Sequence, residues 1–187
     1  MPGAGIQQTK LLVERISKDD KISPARAVED LTRAIRALCR TNEKYHLALA
    51  YAIRGTAFAC GMENRKAAFR DWRKVLKLIL EGRNHSPDSL KLVGWVRLQM
   101  GLHSRGKAQM RFFGEALGYY RRAGRPQGEA TVLVERGLRW KERGYYGRAL
   151  KDLLTGLRIA RKHNMDEIQQ LESFVREVEE MRKRNRR

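Results

Sequence analysis

The chain has 187 residues, enough to bury a substantial core without metal or disulfide staples, and its two cysteines, Cys39 and Cys60, are too few and too unpatterned for a disulfide framework or a zinc site. Forty Lys and Arg against 21 Asp and Glu give a net charge of +19, a balance that favours an anionic partner: nucleic acid, an acidic protein or an acidic membrane surface. No run approaches the ~18 apolar residues of a membrane span. The N-terminus also lacks the basic and apolar segments of a signal peptide, so a soluble, cytoplasmic protein is expected.

In chain order, a first helical stretch runs over about Ile6–Lys18. Ser23-Pro24 then opens a second helix, with an N-cap serine before a proline whose missing N–H costs nothing at the first helical position. Its apolar face is Ala27, Leu31, Ala34, Ile35 and Leu38. A third stretch, Glu43–Cys60, leads to a fourth with Ala68, Trp72, Val75, Leu76 and Ile79. Ser86-Pro87 repeats the N-cap signal and opens Pro87–Leu102, followed by a helix whose face reads Ala108, Phe112, Glu115, Ala116, Tyr119. Pro126–Arg143 precedes the eighth helix, with Ala149, Leu153, Gly156, Leu157 and Ala160. A ninth, from about Met165 to Asn185, carries a stripe of Ile168, Leu171, Val175, Val178 and Met181 opposite a charged face. Gly61, Gly82, Gly106, Gly124 and Gly144 fall at the turns, where a left-handed residue is wanted.

The leading alanines of the even-numbered helices, Ala27, Ala68, Ala108 and Ala149, are 41, 40 and 41 residues apart. Four amphipathic faces in near-constant register point to duplicated helix pairs, each burying its face on the next. The two cysteines and Trp72, Trp95 and Trp140 fit this scheme as core residues.

The last repeat, Gly137-Leu138-x-Trp140-x3-Gly144-Tyr145-Tyr146-x2-Ala149-x3-Leu153-x2-Gly156-Leu157, resembles the tetratricopeptide repeat. That family combines a small residue and an aromatic in the first helix, a Gly-aromatic turn, and alanine, a large apolar and a small residue in the second. Gly55 with Ala67, Ala68 and Trp72 resembles the same unit more loosely; the third repeat departs at Glu115, and the first matches only in its second helix. The period is similar to that of the longer-helix arrays of kinesin light chains and bacterial peptide-sensing regulators; armadillo and HEAT repeats have periods in the same range. The resemblance implies an all-α, right-handed α-α superhelix of about four helix pairs, over 6–40, 43–82, 87–124 and 126–163. A capping helix over 165–185 and a basic tail over 182–187 complete a single domain.

Nothing in the sequence argues for catalysis or a cofactor. His46, His85, His103 and His163 are scattered without Cys, Asp or Glu at ligand spacing, no Ser or Thr sits in a nucleophile-elbow pattern, and the glycines form no phosphate loop. The resemblance implies instead a non-enzymatic scaffold that binds a peptide or helix of another protein along a concave surface formed by the first helices. Arg54, Arg97, Arg136, Arg139 and Lys141 on those helices are expected to make that groove basic and suited to an acidic peptide or a carboxylate. The alternative is binding of RNA or a ribonucleoprotein. Tyr120 would stack a base, Arg121 and Arg122 would hold phosphate, and the tail Arg182, Lys183, Arg184, Arg186 and Arg187 would add sequence-independent attraction. In each doublet, Tyr119-Tyr120 and Tyr145-Tyr146, one ring is expected to pack inward.

Overall fold

A computed structural model describes residues 2–19, 21–82 and 85–185. Among these residues the chain forms nine α-helices: α1 Pro2–Ile16, α2 Pro24–Leu38, α3 Lys44–Thr56, α4 Arg65–Leu80, α5 Pro87–Leu102, α6 Gly106–Arg122, α7 Pro126–Glu142, α8 Tyr146–Lys162 and α9 Ile168–Arg184. A π-helical turn, Ala57–Gly61, extends α3. None of the helices is long and apolar enough to cross a membrane.

The caps follow from local chemistry. Ser23 and Ser86 accept from the backbone N–H groups of Arg26 (3.4 Å) and Ser89 (3.1 Å), as their Ser-Pro signals predict. Asn64 caps α4 in the same way through Ala67 N–H. The helices α6 and α7 end on Gly124 (φ 61°) and Gly144 (φ 76°). There Arg125 N–H returns to Tyr120 O and Tyr145 N–H to Trp140 O, closing the last turns. At two other turns the left-handed residue is not glycine but Glu63 and Asn164.

Successive helices pack as antiparallel pairs, α1–α2, α3–α4, α5–α6 and α7–α8, with α9 laid on α8. Within three pairs the helices approach through a glycine. A Cβ at Gly55 would stand 2.6 Å from the Trp72 indole nitrogen, one at Gly101 would stand 2.6 Å from Phe113 Cε1, and one at Gly137 would stand 2.9 Å from Leu153 Cγ. Trp72, Phe113 and Leu153 are the large, fully buried anchors of α4, α6 and α8. The first helices of the pairs also touch in series, α1 to α3 to α5 to α7, while no comparable contact joins the second helices. The first helices therefore form an inner row and the second helices an outer one. On α9, Leu171, Val175 and Val178 join Leu153 and Leu157 in one core cluster, while Met181 is exposed.

Three expectations are corrected. Ala68 and Ala149 are fully buried, but Ala108 is exposed; the third repeat shifts by one residue and places Gln109 in the core. Gln109 tolerates burial because its amide donates to Gly101 O (3.3 Å) and its carbonyl accepts from Arg143 Nη2 (2.8 Å). Cys39 and Cys60 are exposed rather than core residues. Of the tryptophans only Trp72 is fully buried, Trp95 and Trp140 being partly so.

Candidate functional site

The cations expected in the groove are all engaged. Arg54 lies between α3 and α4, where its Nε and Nη2 donate to the two oxygens of Asp71 (2.7 and 3.0 Å) and its Nη1 to Thr32 Oγ1 (2.9 Å). Asp71 is completely buried. Arg136 repeats the arrangement between α7 and α8, donating from Nε and Nη2 to both oxygens of Asp152, each at 2.7 Å. A guanidinium fork held by a carboxylate in this way is directional and fixes both helices. With α6 shifted by one residue, the position corresponding to Asp71 in the third pair is Phe112, so no carboxylate stands there. Arg97 instead reaches Glu115 at 3.0 Å. Arg139 is held by Glu135 and Glu142 on its own helix, and Lys141 reaches across to Glu177 of α9 (2.9 Å). Four of the five join helix to helix, and Arg139 is paired within its own helix.

The nucleic-acid candidates are also dispersed. Tyr120 is buried, wedged between Gly94 and Gly128 where α5 and α7 approach, and burial pushes its hydroxyl pKa up to about 12. It has no free ring face on which a base could stack. Arg121 pairs with Glu129 (2.8 Å), and Arg122 lies over the Tyr119 ring. Arg182, Lys183 and Arg184 are exposed at the end of α9; Arg186 and Arg187 lie outside the described residues.

A groove does run along the inner row. About 610 Å³ in volume, it is bounded by α1, α3 and α5 and reaches Tyr120. Tyr45, Leu49 and Ile53 recur every fourth residue on one face of α3; opposite them stand Leu92 and Trp95 of α5. Tyr45 is exposed, and Leu49, Ile53 and Trp95 are partly exposed, so apolar surface is left uncovered. Four charged residues flank it: Glu14, Lys18, Asp88 and Lys91. Both acids are engaged, Glu14 by His46 (3.2 Å) and Asp88 by Arg125 (2.8 Å). Among the described residues, neither Lys18 nor Lys91 is within ion-pair distance of an acid. Sequence reasoning missed this groove because its side chains read as ordinary core; the available signal was that Tyr45, Leu49 and Ile53 form a second stripe on α3, beside Ala48 and Ala52, which pack on neighbouring helices.

A smaller groove of about 200 Å³ lies between α7 and α9, lined by Val134, Met165, Leu171 and Phe174 among others. Among the described residues, no three His, Cys, Asp or Glu side chains gather as they would around a metal ion.

No family model matches the sequence, and no curated protein matches it. The crystal structure of BtubC (BKLC) from P. vanneervenii is similar over 96% of this chain and 74% of its own, with a TM-score of 0.73 and 16% identity. At that identity the likeness concerns fold. The chain is an all-α array of tetratricopeptide-like helix pairs, packed in sequential antiparallel order as in that structure.

Proposed function

We propose that the chain is a non-enzymatic protein-interaction module whose inner groove, between α1, α3 and α5, holds an acidic peptide segment with apolar anchors. The observation that carries this reading is the uncovered stripe Tyr45, Leu49, Ile53 and Trp95 beside two lysines that have no acidic partner among the described residues. Aromatic and aliphatic side chains left half exposed on a rigid helical row supply anchoring pockets for a helix or extended peptide. Lys18 and Lys91 add a preference for carboxylates at the rim, where charge governs selection more than affinity. The Arg54–Asp71 pair acts at one remove, fixing α3, which presents the groove.

Selection from a random peptide library, followed by titration against variants, tests the reading. Selected peptides should be rich in Asp or Glu and in large apolar residues. Tyr45→Ala and Lys91→Glu should each weaken them about tenfold, a loss of ~1.4 kcal/mol. Peptides that bind both variants as tightly as the parent chain would refute the groove as the site.

A further inference from the structure

The positive charge of this protein is not spread evenly over its helices. The four second helices, α2, α4, α6 and α8, carry eighteen Lys and Arg against five Asp and Glu, a net of +13. The first helices α1, α3, α5 and α7 carry nine against five, and α9 is balanced at four against four. The orientation of the acids sharpens the difference. Asp71 and Asp152 point inward to the arginines of the paired helices, and Glu115 is bound by Arg97 and Arg111. Asp30 is flanked by Arg26 and Arg33, leaving Glu29 as an exposed acid without an ion pair among the described residues. Thirteen of the eighteen cations make no ion pair among the described residues; Arg70 and Arg73 on α4 and Lys151 and Arg158 on α8 are examples, and all four are exposed.

We infer that this outer row is a binding surface for the phosphate backbone of a double-stranded nucleic acid. Three arguments select that ligand. The unpaired cations recur on α4, α6 and α8, over three successive helix pairs, which suits a linear polymer of regular negative charge and not a single anionic group. The outer helices offer little else: among large apolar residues, only Leu154 is exposed on them. A single strand would want aromatic platforms for stacking, a membrane an inserted apolar face, and a protein partner buried aromatic anchors. Phosphate contacts need none of these and carry no base sequence, so recognition here is by charge and shape. The surface is separate from the inner groove and does not depend on it.

The test uses the full chain against duplex RNA and duplex DNA of about 20 base pairs, between about 50 and 200 mM salt. Binding should weaken linearly on a log–log plot. The variant Arg70→Gln, Arg73→Gln, Lys151→Gln, Arg158→Gln should bind both duplexes about tenfold or more weakly, with the slope shallower by about 0.9 for each phosphate contact removed. Circular dichroism checks that the variant stays helical, and Lys91→Glu in the groove should leave duplex binding near the parent value. The comparison of RNA with DNA identifies the duplex. Absence of binding at about 50 mM salt overturns the inference, as does an unchanged affinity in the fourfold variant. Tighter binding of single-stranded oligonucleotides, polyglutamate or phosphatidylserine vesicles overturns the assignment of the ligand.

Discussion

Removing Asp71 should be among the most damaging single changes to this fold. Arg54 retains only 11% side-chain exposure, and Asp71 has none. Two unit charges about 4 Å apart attract by ~4 kcal/mol at an effective dielectric near 20, so the pair offsets much of its own desolvation. In Asp71→Ala the guanidinium keeps the Thr32 hydroxyl and the faces of Tyr51 and Phe58 but no carboxylate, and a buried charge left without its counter-ion costs about 3–5 kcal/mol. Arg136 is 22% exposed and can turn towards water, so Asp152→Ala should cost less, about 1.5–3 kcal/mol. The double change Arg54→Met, Asp71→Leu should return stability to within ~1 kcal/mol of the parent, because apolar residues of similar volume replace buried pairs well. Urea titration followed by far-ultraviolet circular dichroism gives the comparison, with the slope checked because helical arrays can unfold in parts. A loss below ~1 kcal/mol in Asp71→Ala, or a double variant no better than the single, would refute the account.

Further changes probe other parts of the array. Ala149→Leu should overpack the last pair and cost ~1–3 kcal/mol, whereas Ala108→Leu should stay within about 0.5 kcal/mol; equal costs would contradict the one-residue shift of α6. Deleting the chain after Asn164 would uncover the face that meets Leu171, Val175 and Val178, so the truncated protein should aggregate or unfold less cooperatively on a size-exclusion and melting assay. Burial, reinforced by Arg65, holds the His103 pKa below its ordinary value. Its contribution to stability is therefore present above the unfolded value near 6.5 and lost as pH falls through the lower folded value. Thermal melts between about pH 7 and 5 should show a decline that His103→Gln reduces.

Much of the helical order was legible because capping, turns and apolar spacing are local. Ser23 and Ser86 cap their helices as their neighbours dictate, and Gly124 and Gly144 occupy the conformation their turns require. What was not legible depends on partners distant in sequence. Apolar periodicity put Ala108 inside and overlooked Gln109, since it cannot see that Gly101 and Arg143 satisfy a buried amide. Charge alone placed Arg54 and Arg136 at a surface. The contrary signal was present: Arg54 and Arg136 are 82 residues apart, Asp71 and Asp152 are 81 apart, and a pair that recurs at twice the repeat length is a structural couple. The inner groove escaped notice because half-exposed Tyr45 and Trp95 have the same residue types as a core.

The inward acids explain how one small array can carry two surfaces of different character. Arginines on closely packed first helices would repel one another and crowd the inner row with positive charge; Asp71, Glu115 and Asp152 neutralise them from the neighbouring helix. The groove is left largely apolar, with Lys18 and Lys91 as its charges unpaired among the described residues, while the outer row keeps the large uncompensated field. The two rows are separated by about one helix diameter, ~10 Å, and the Debye length at physiological salt is about 8 Å. The outer field is therefore attenuated at the groove at physiological salt. Peptide binding should accordingly weaken less between about 50 and 200 mM salt than duplex binding does, because only the rim lysines contribute charge to it.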